Sequence, residues 1–148
     1  MSDRPIGCIL SGGLDSTTVT AIACRVLKEM NPNAPPMRTY TVGLEGGTDF
    51  IWARKAAKHF GTEHHEFVLS EDDFLNAIPD VIKQIESYDV TTVRASTGNW
   101  LVAKKIAELG KDIVLFCGDV ADELLGGYRG FGLTQDPEEF DHENVKMM

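Results

Sequence analysis

The sequence predicts an α/β fold, an open and mostly parallel sheet with helices on both faces. Two observations predict it. Short apolar runs alternate with stretches of helical periodicity along the chain. The apolar runs are also nearly continuous rather than alternating, as in strands covered on both faces. Right-handed crossovers then restrict the topology.

Each element has a local reason. Ile6–Leu10 is a short apolar run closed by Ser11-Gly12-Gly13, and reads as the first strand. From Asp15 to Met30, Val19, Ile22, Ala23, Val26 and Leu27 recur at helical spacing. The loop 31–36 holds three prolines' worth of interruption at Pro32, Pro35 and Pro36, none of which can continue a helix. Arg38–Val42 is β-branched and aromatic, a second strand. A turn at 43–47 leads to a helix capped by Thr48 or Asp49 and running to Phe60, with Gly61 just beyond.

His64–Leu69 reads as a third strand. Ser70-Glu71-Asp72-Asp73 resembles a capping box, with Asp in place of Glu or Gln. It opens a helix to about Ser87 that Pro79 would kink or break. Thr91–Gly98 reads as loop or helix start, Trp100–Leu109 as helix, and Ile113–Cys117 as a fourth strand. Asp122–Leu125 forms a helical turn before Gly126-Gly127. From Gly132 the chain is polar and acidic, and is expected to fray.

Composition narrows the function. The 148 residues are 43% hydrophobic and 25% charged, which are globular proportions. Acids outnumber bases 23 to 14, for a formal charge of −9. That balance argues against nucleic acid and anionic membrane as partners. No apolar run approaches the roughly 20 residues of a membrane helix. The polar start Met1–Pro5 lacks a signal peptide's apolar stretch. Cys8, Cys24 and Cys117 make no disulfide framework, so a reducing cytoplasmic compartment is expected.

The segment Ser11-Gly12-Gly13-Leu14-Asp15-Ser16-Thr17 joins the first strand to the first helix. Its placement matters more than its letters. Ligands of open α/β sheets sit at the carboxyl ends of strands. A helix start offers unpaired N–H groups and a partial positive charge to an oxyanion. Asp15 suits such a place only if a cation mediates, which makes it a candidate Mg²⁺ ligand. Neither G-x-x-x-x-G-K-[ST] nor G-x-G-x-x-G is present, so a kinase-type loop and a dinucleotide fingerprint are disfavoured. The plainer reading is a Gly-Gly turn with Asp15 as a helix cap.

A second constellation, Cys117–Tyr128, follows the fourth strand with Asp119, Asp122 and Glu123. If that strand neighbours the first, these carboxylates approach Asp15, and a polyphosphate there would need Mg²⁺. The alternative is a solvated acidic turn.

Three motifs in order carry a resemblance. SGGLDST resembles the pyrophosphatase loop of the N-type ATP pyrophosphatases. YDVTTVRAST (Tyr88–Thr97) and CGDVADELLGGY (Cys117–Tyr128) are similar to the synthetase domain of asparagine synthetase. The intervening TVGL and GTEHHE segments fit, and the likeness spans residues 5 to 131. It implies a Rossmann-like sheet of the adenine nucleotide alpha hydrolase-like (HUP) kind. It also implies adenylation of the aspartate side chain with Mg·ATP, pyrophosphate release, and attack by ammonia to give asparagine. β-Lactam synthetase shares the superfamily, but YDVTTVRAST favours asparagine synthetase.

By position, the resemblance assigns Ser11, Gly13, Asp15 and Ser16 to the phosphates. It assigns Leu10, Val42 and Gly118 to the adenosine, and Asp15 and Asp122 to Mg²⁺. Thr91, Thr92 and Arg94 fall near aspartate and the acyl-adenylate. Arg94 suits a carboxylate through its planar fork.

The chain also departs from the family. Where the family reads Ser-Gly-Glu-Gly-Ser-Asp-Glu, this chain reads Cys117-Gly118-Asp119-Val120-Ala121-Asp122-Glu123. Asp119 stands in for a glutamate tied to the ammonia-dependent step and is one methylene shorter. Val120 and Ala121 replace a glycine and a serine. The expected organisation is an ATP pyrophosphatase-like domain over 1–131, incomplete at its C-terminal side, with an acidic tail over 132–148. No glutaminase domain is expected here. The expected partners are ATP, aspartate and ammonia, with a homo-oligomer or a completing subunit as the alternative to autonomous catalysis. A catalytically impaired Mg·ATP- or AMP-binding remnant is the other alternative.

Other features have plain readings. His64 and His65, beside Glu63 and Glu66, point to opposite faces of a strand and cannot share a metal. Cys8 and Cys24 read as small core residues. Trp52 and Trp100 read as helix-borne packing residues.

Overall fold

A computed structural model describes residues 4–128 and 136–147. It forms two compact units, 1–117 and 118–148. The domain boundary expected at 131/132 falls outside the described residues.

The first unit is a four-stranded sheet in the order β3-β2-β1-β4, parallel throughout. Its strands are β1 (Ile6–Ile9), β2 (Arg38–Leu44), β3 (Glu63–Leu69) and β4 (Val114–Phe116). Its helices are α1 (Leu14–Met30), α2 (Thr48–Phe60), α3 (Glu71–Ile85) and α4 (Val90–Leu109). The order reverses between β1 and β4, where Cys8 pairs with Phe116. The fourth strand thus neighbours the first.

Side-chain alternation divides the core between the two faces. On one face Leu10 packs with Ala53 and Ala57 of α2. On the other, Tyr40 packs with Val102 and Ile106 of α4, and Ala77 and Val81 of α3 pack with Leu101. Cys8 is buried, Cys24 half-buried and Cys117 exposed. Along α1, Ile22, Val26 and Met30 keep an apolar outer stripe that lines an open groove of about 430 Å³ with Met37 and Phe116. Among the described residues no helix is long and apolar enough to cross a membrane.

Three local expectations change. α4 starts ten residues before Trp100, because Asp89 caps it by accepting from the Thr92 amide at 2.7 Å. That bond outweighs the weak helix propensity of Val90-Thr91-Thr92-Val93. α3 runs through Pro79 unbroken, held by the Ser70–Asp73 capping box at its start and by an apolar face packed on α4. α2 is entered from Gly47 with no side-chain cap, rather than from Thr48 or Asp49.

The second unit holds α5 (Ala121–Leu125) and α6 (Pro137–Met147). The described part of the acidic tail is helical over Pro137–Met147. Asp136 accepts from the Glu138 amide at 3.1 Å, Pro137 sits at the first position, and Glu138 and Glu139 complement the helix dipole.

Candidate functional site: the β1–α1 loop

The loop from Ser11 to Ser16 is closed by its own hydroxyls. Ser11 Oγ and Ser16 Oγ are 2.9 Å apart, and the Ser16 hydroxyl donates to the Gly13 carbonyl at 3.3 Å. The Ser11 amide donates to Ser16 Oγ at 3.3 Å. Ser16 is only 8% exposed, so its hydroxyl works inside the loop as a clasp. Gly13 is the N-cap of α1 and has no side-chain cap bond. Asp15 is thus not the cap that the plainer reading required. The first helical bond runs from the Thr17 amide to the Gly13 carbonyl at 3.1 Å. The amides of Leu14, Asp15 and Ser16 precede it and have no intrahelical acceptor.

Gly12 fixes where this turn sits. Its φ is +85°, and a Cβ there would lie 2.5 Å from the Ala53 amide nitrogen and the Trp52 carbonyl carbon. The loop therefore rests on the backbone of α2 in its second turn. Beneath it Leu10 is fully buried, its amide bonded to the Tyr40 carbonyl at 2.8 Å and its carbonyl accepting from the Thr41 hydroxyl. Val42 is half-buried between the Tyr40 and Val81 core clusters.

The Tyr88–Thr97 motif opens α4. Thr92 gives both its amide and its hydroxyl to Asp89, the latter at 2.8 Å, while Thr91 and Arg94 are exposed. Arg94 borders an apolar groove of about 510 Å³ formed by Phe74, Leu75, Ile78 and Ile82 of α3 with Tyr88 and Val93.

Gly118, Asp119 and Asp122 belong to the second unit. Asp119 is exposed, and Asp122 folds its carboxylate over Gly127. The Tyr128 hydroxyl donates to Glu123 at 2.5 Å. Val120 caps α5 with φ +71°, a left-handed conformation that a β-branched residue rarely takes. This is the position where the family pattern has glycine.

The paired histidines do point apart. His64 Nδ1 lies 2.9 Å from Thr39 Oγ1, while the His65 ring stacks on Tyr40 with centroids 5.3 Å apart. Among the described residues no group of three or more His, Cys, Asp or Glu side chains is placed to hold a metal. The sequence reading missed Trp52. It is 56% exposed and carries the Lys55 ammonium 4.1 Å from its ring centre, so it does not pack in the core. The one signal in the sequence was the i, i+3 spacing of Trp52 and Lys55 on a predicted helix.

Fold and loop together define a parallel α/β protein with an anion-suited turn at the reversal of strand order. The family model described as asparagine synthase matches residues 1–143, and the chain belongs to that family. It is 43% identical over 148 residues to a glutamine-hydrolysing asparagine synthetase of Gallus gallus. It is 40% identical to the corresponding enzymes of Bos taurus and Homo sapiens. In each case all of this chain aligns with 26% of the relative, so it spans about a quarter of their length. A solved structure of a predicted tRNA methyltransferase subunit from Methanocaldococcus jannaschii matches 76% of this chain and 51% of its own, at 18% identity and a TM-score of 0.41. That likeness is too slight to bear on function.

Proposed function

We propose that the chain carries the nucleotide-activating part of an asparagine synthetase. In that reaction an aspartate side-chain oxygen attacks the α-phosphorus of ATP and pyrophosphate leaves. Ammonia then attacks the acyl carbon, AMP leaves with the bonding pair, the nitrogen gives up one proton, and asparagine forms. The observation that carries this reading is the Ser11–Ser16 clasp, seated on α2 through Gly12 at the carboxyl end of β1. It presents three helix-start amides to an oxyanion.

Asp15 suits a divalent cation, because it stands in the first turn of α1 beside those amides and, among the described residues, its side chain makes no hydrogen bond. Mg²⁺ is commonly held by one or two carboxylates together with substrate phosphates and water. When bound it would offset phosphate charge beside the Asp15 carboxylate. Asp122 is proposed as the second carboxylate. Leu10, Val42 and Gly118 are proposed for the adenosine, and Arg94 with Thr91 and Thr92 for the substrate carboxylate. Asp119 is proposed in the place of the family's glutamate.

The test is pyrophosphate release from Mg·ATP, with aspartate and ammonium each present or omitted. Release that depends on aspartate and is lost in Asp15→Asn supports the ligase reading. A second reading, nucleotide binding without catalysis, is favoured by the left-handed Val120 beside Asp119. Measurable Mg·ATP binding with no aspartate-dependent release would establish it instead.

A further inference from the structure

The loop from Ser11 to Thr17 contains no basic residue and one acid, Asp15. A loop that takes a polyphosphate would gain from a cation, and the helix turn pressed against this loop carries one, Lys55, on its Trp52 ring. Gly12 lies against α2 at Trp52 and Ala53, with the Trp52 Cβ 2.5 Å from where a Gly12 Cβ would be. The Trp52 indole is exposed, with Lys55 Nζ 4.1 Å from its centre. Among the described residues Lys55 pairs with no carboxylate, and its ammonium lies on the Trp52 ring. The other indole–lysine pair differs. Lys104 Nζ lies 4.8 Å from the Trp100 ring, and Trp100 packs into the α3–α4 core on the opposite face.

We propose that Lys55, parked on Trp52, is the cation of the phosphate loop and moves to the phosphates of a bound nucleotide or to pyrophosphate. This rests on the reading of the β1–α1 turn as a phosphate site and adds a residue to it. An exposed cation–π contact is weaker than a charge-assisted hydrogen bond to phosphate. The ring therefore holds the ammonium near the loop without competing with the anion. Trp52 is a positioning residue and Lys55 a binding one.

The experiment uses the full chain with Trp100→Phe, which leaves Trp52 as the sole tryptophan, and inorganic pyrophosphate as probe. Binding is expected to change Trp52 emission as the ammonium leaves the ring. Lys55→Gln is expected to abolish that change, weaken pyrophosphate binding about tenfold, and lower its salt dependence. Lys55→Arg should retain most of the affinity, which a merely structural role for an exposed side chain would not require. Equal affinity and an equal emission change in Lys55→Gln would overturn the proposal. If Gly12→Ala then abolishes binding that Lys55→Gln leaves intact, the loop reading stands and the Lys55 assignment falls. If the chain binds no pyrophosphate at all, both fall.

Discussion

Arg38 and Asp112, 74 positions apart, are locked in a two-pronged ion pair at the amino-terminal end of the sheet. Arg38 Nε donates to one carboxylate oxygen at 2.9 Å and Nη2 to the other at 2.5 Å. The Tyr40 hydroxyl adds a third bond at 2.6 Å. The Asp112 side chain is 0% exposed and that of Arg38 22%. Asp112 precedes β4 and Arg38 opens β2, so the pair ties both neighbours of β1 together. It stands at the end of the strands opposite the loop.

Asp112→Asn keeps the shape and removes the charge. A broken buried pair costs about 3–5 kcal/mol, and the partial exposure of Arg38 places this case near the lower figure. Chemical denaturation should show a loss of about 3 kcal/mol, with a smaller loss for Arg38→Lys. A loss below about 1 kcal/mol would mean that the pair is solvated in solution.

Burial alone would raise the pKa of Asp112, but the bonds from Arg38 and Tyr40 outweigh it and hold the carboxyl below its usual range. For His64, burial disfavours the imidazolium and lowers its pKa, against the pull of Glu66. Both shifts have the same sign for stability, since the unfolded chain binds more protons. The His64 contribution is complete above about pH 6.5 and declines as pH falls below it. The Asp112 contribution is lost only at lower pH, below the ordinary carboxylate range of about 4. Thermal melts from pH 7 to 5 should therefore show a decline in the wild type that His64→Gln lacks. A parallel decline in both proteins would exclude His64 as its source.

Gly12→Ala meets two obstacles, the positive φ and the α2 backbone 2.5 Å from the new Cβ. Neither α2 nor the loop is a flexible side chain that can give way. The expected cost is about 1–3 kcal/mol, with loss of nucleotide affinity as the loop lifts off α2. Calorimetric titration with Mg·ATP checks the second part, and unchanged affinity would mean that the loop geometry is not what binds.

Val120→Gly should act in the opposite sense. A left-handed L-residue costs about 1–2 kcal/mol, which glycine relieves, partly offset by its larger unfolded-state entropy. Hydrogen exchange at the α5 amides is expected to slow by about threefold to tenfold. Faster exchange would show that the Val120 side chain contributes more than its backbone strain costs.

Much of this molecule was legible in the chain itself. The four strands, the Ser70 cap, the Gly-Gly turn at a strand end and the opposed histidines all follow from near-neighbour patterns, because period, capping and turn chemistry are local. The three motifs in order also carried the family likeness. Other features were settled by caps and packing that the apolar pattern alone does not reveal. Asp89 and the α3 contact decided that α4 starts at Val90. Asp136 and Pro137 start the helix over Pro137–Met147, a local signal within an acidic stretch. Gly12 against Trp52 and Arg38 against Asp112 are pairings that only tertiary packing brings together. Periodicity says which face of an element is apolar, but not which backbone will press on a loop or which cation will be left without a carboxylate. Those outcomes depend on how the helices settle on the sheet, and they decide what surrounds the β1–α1 loop.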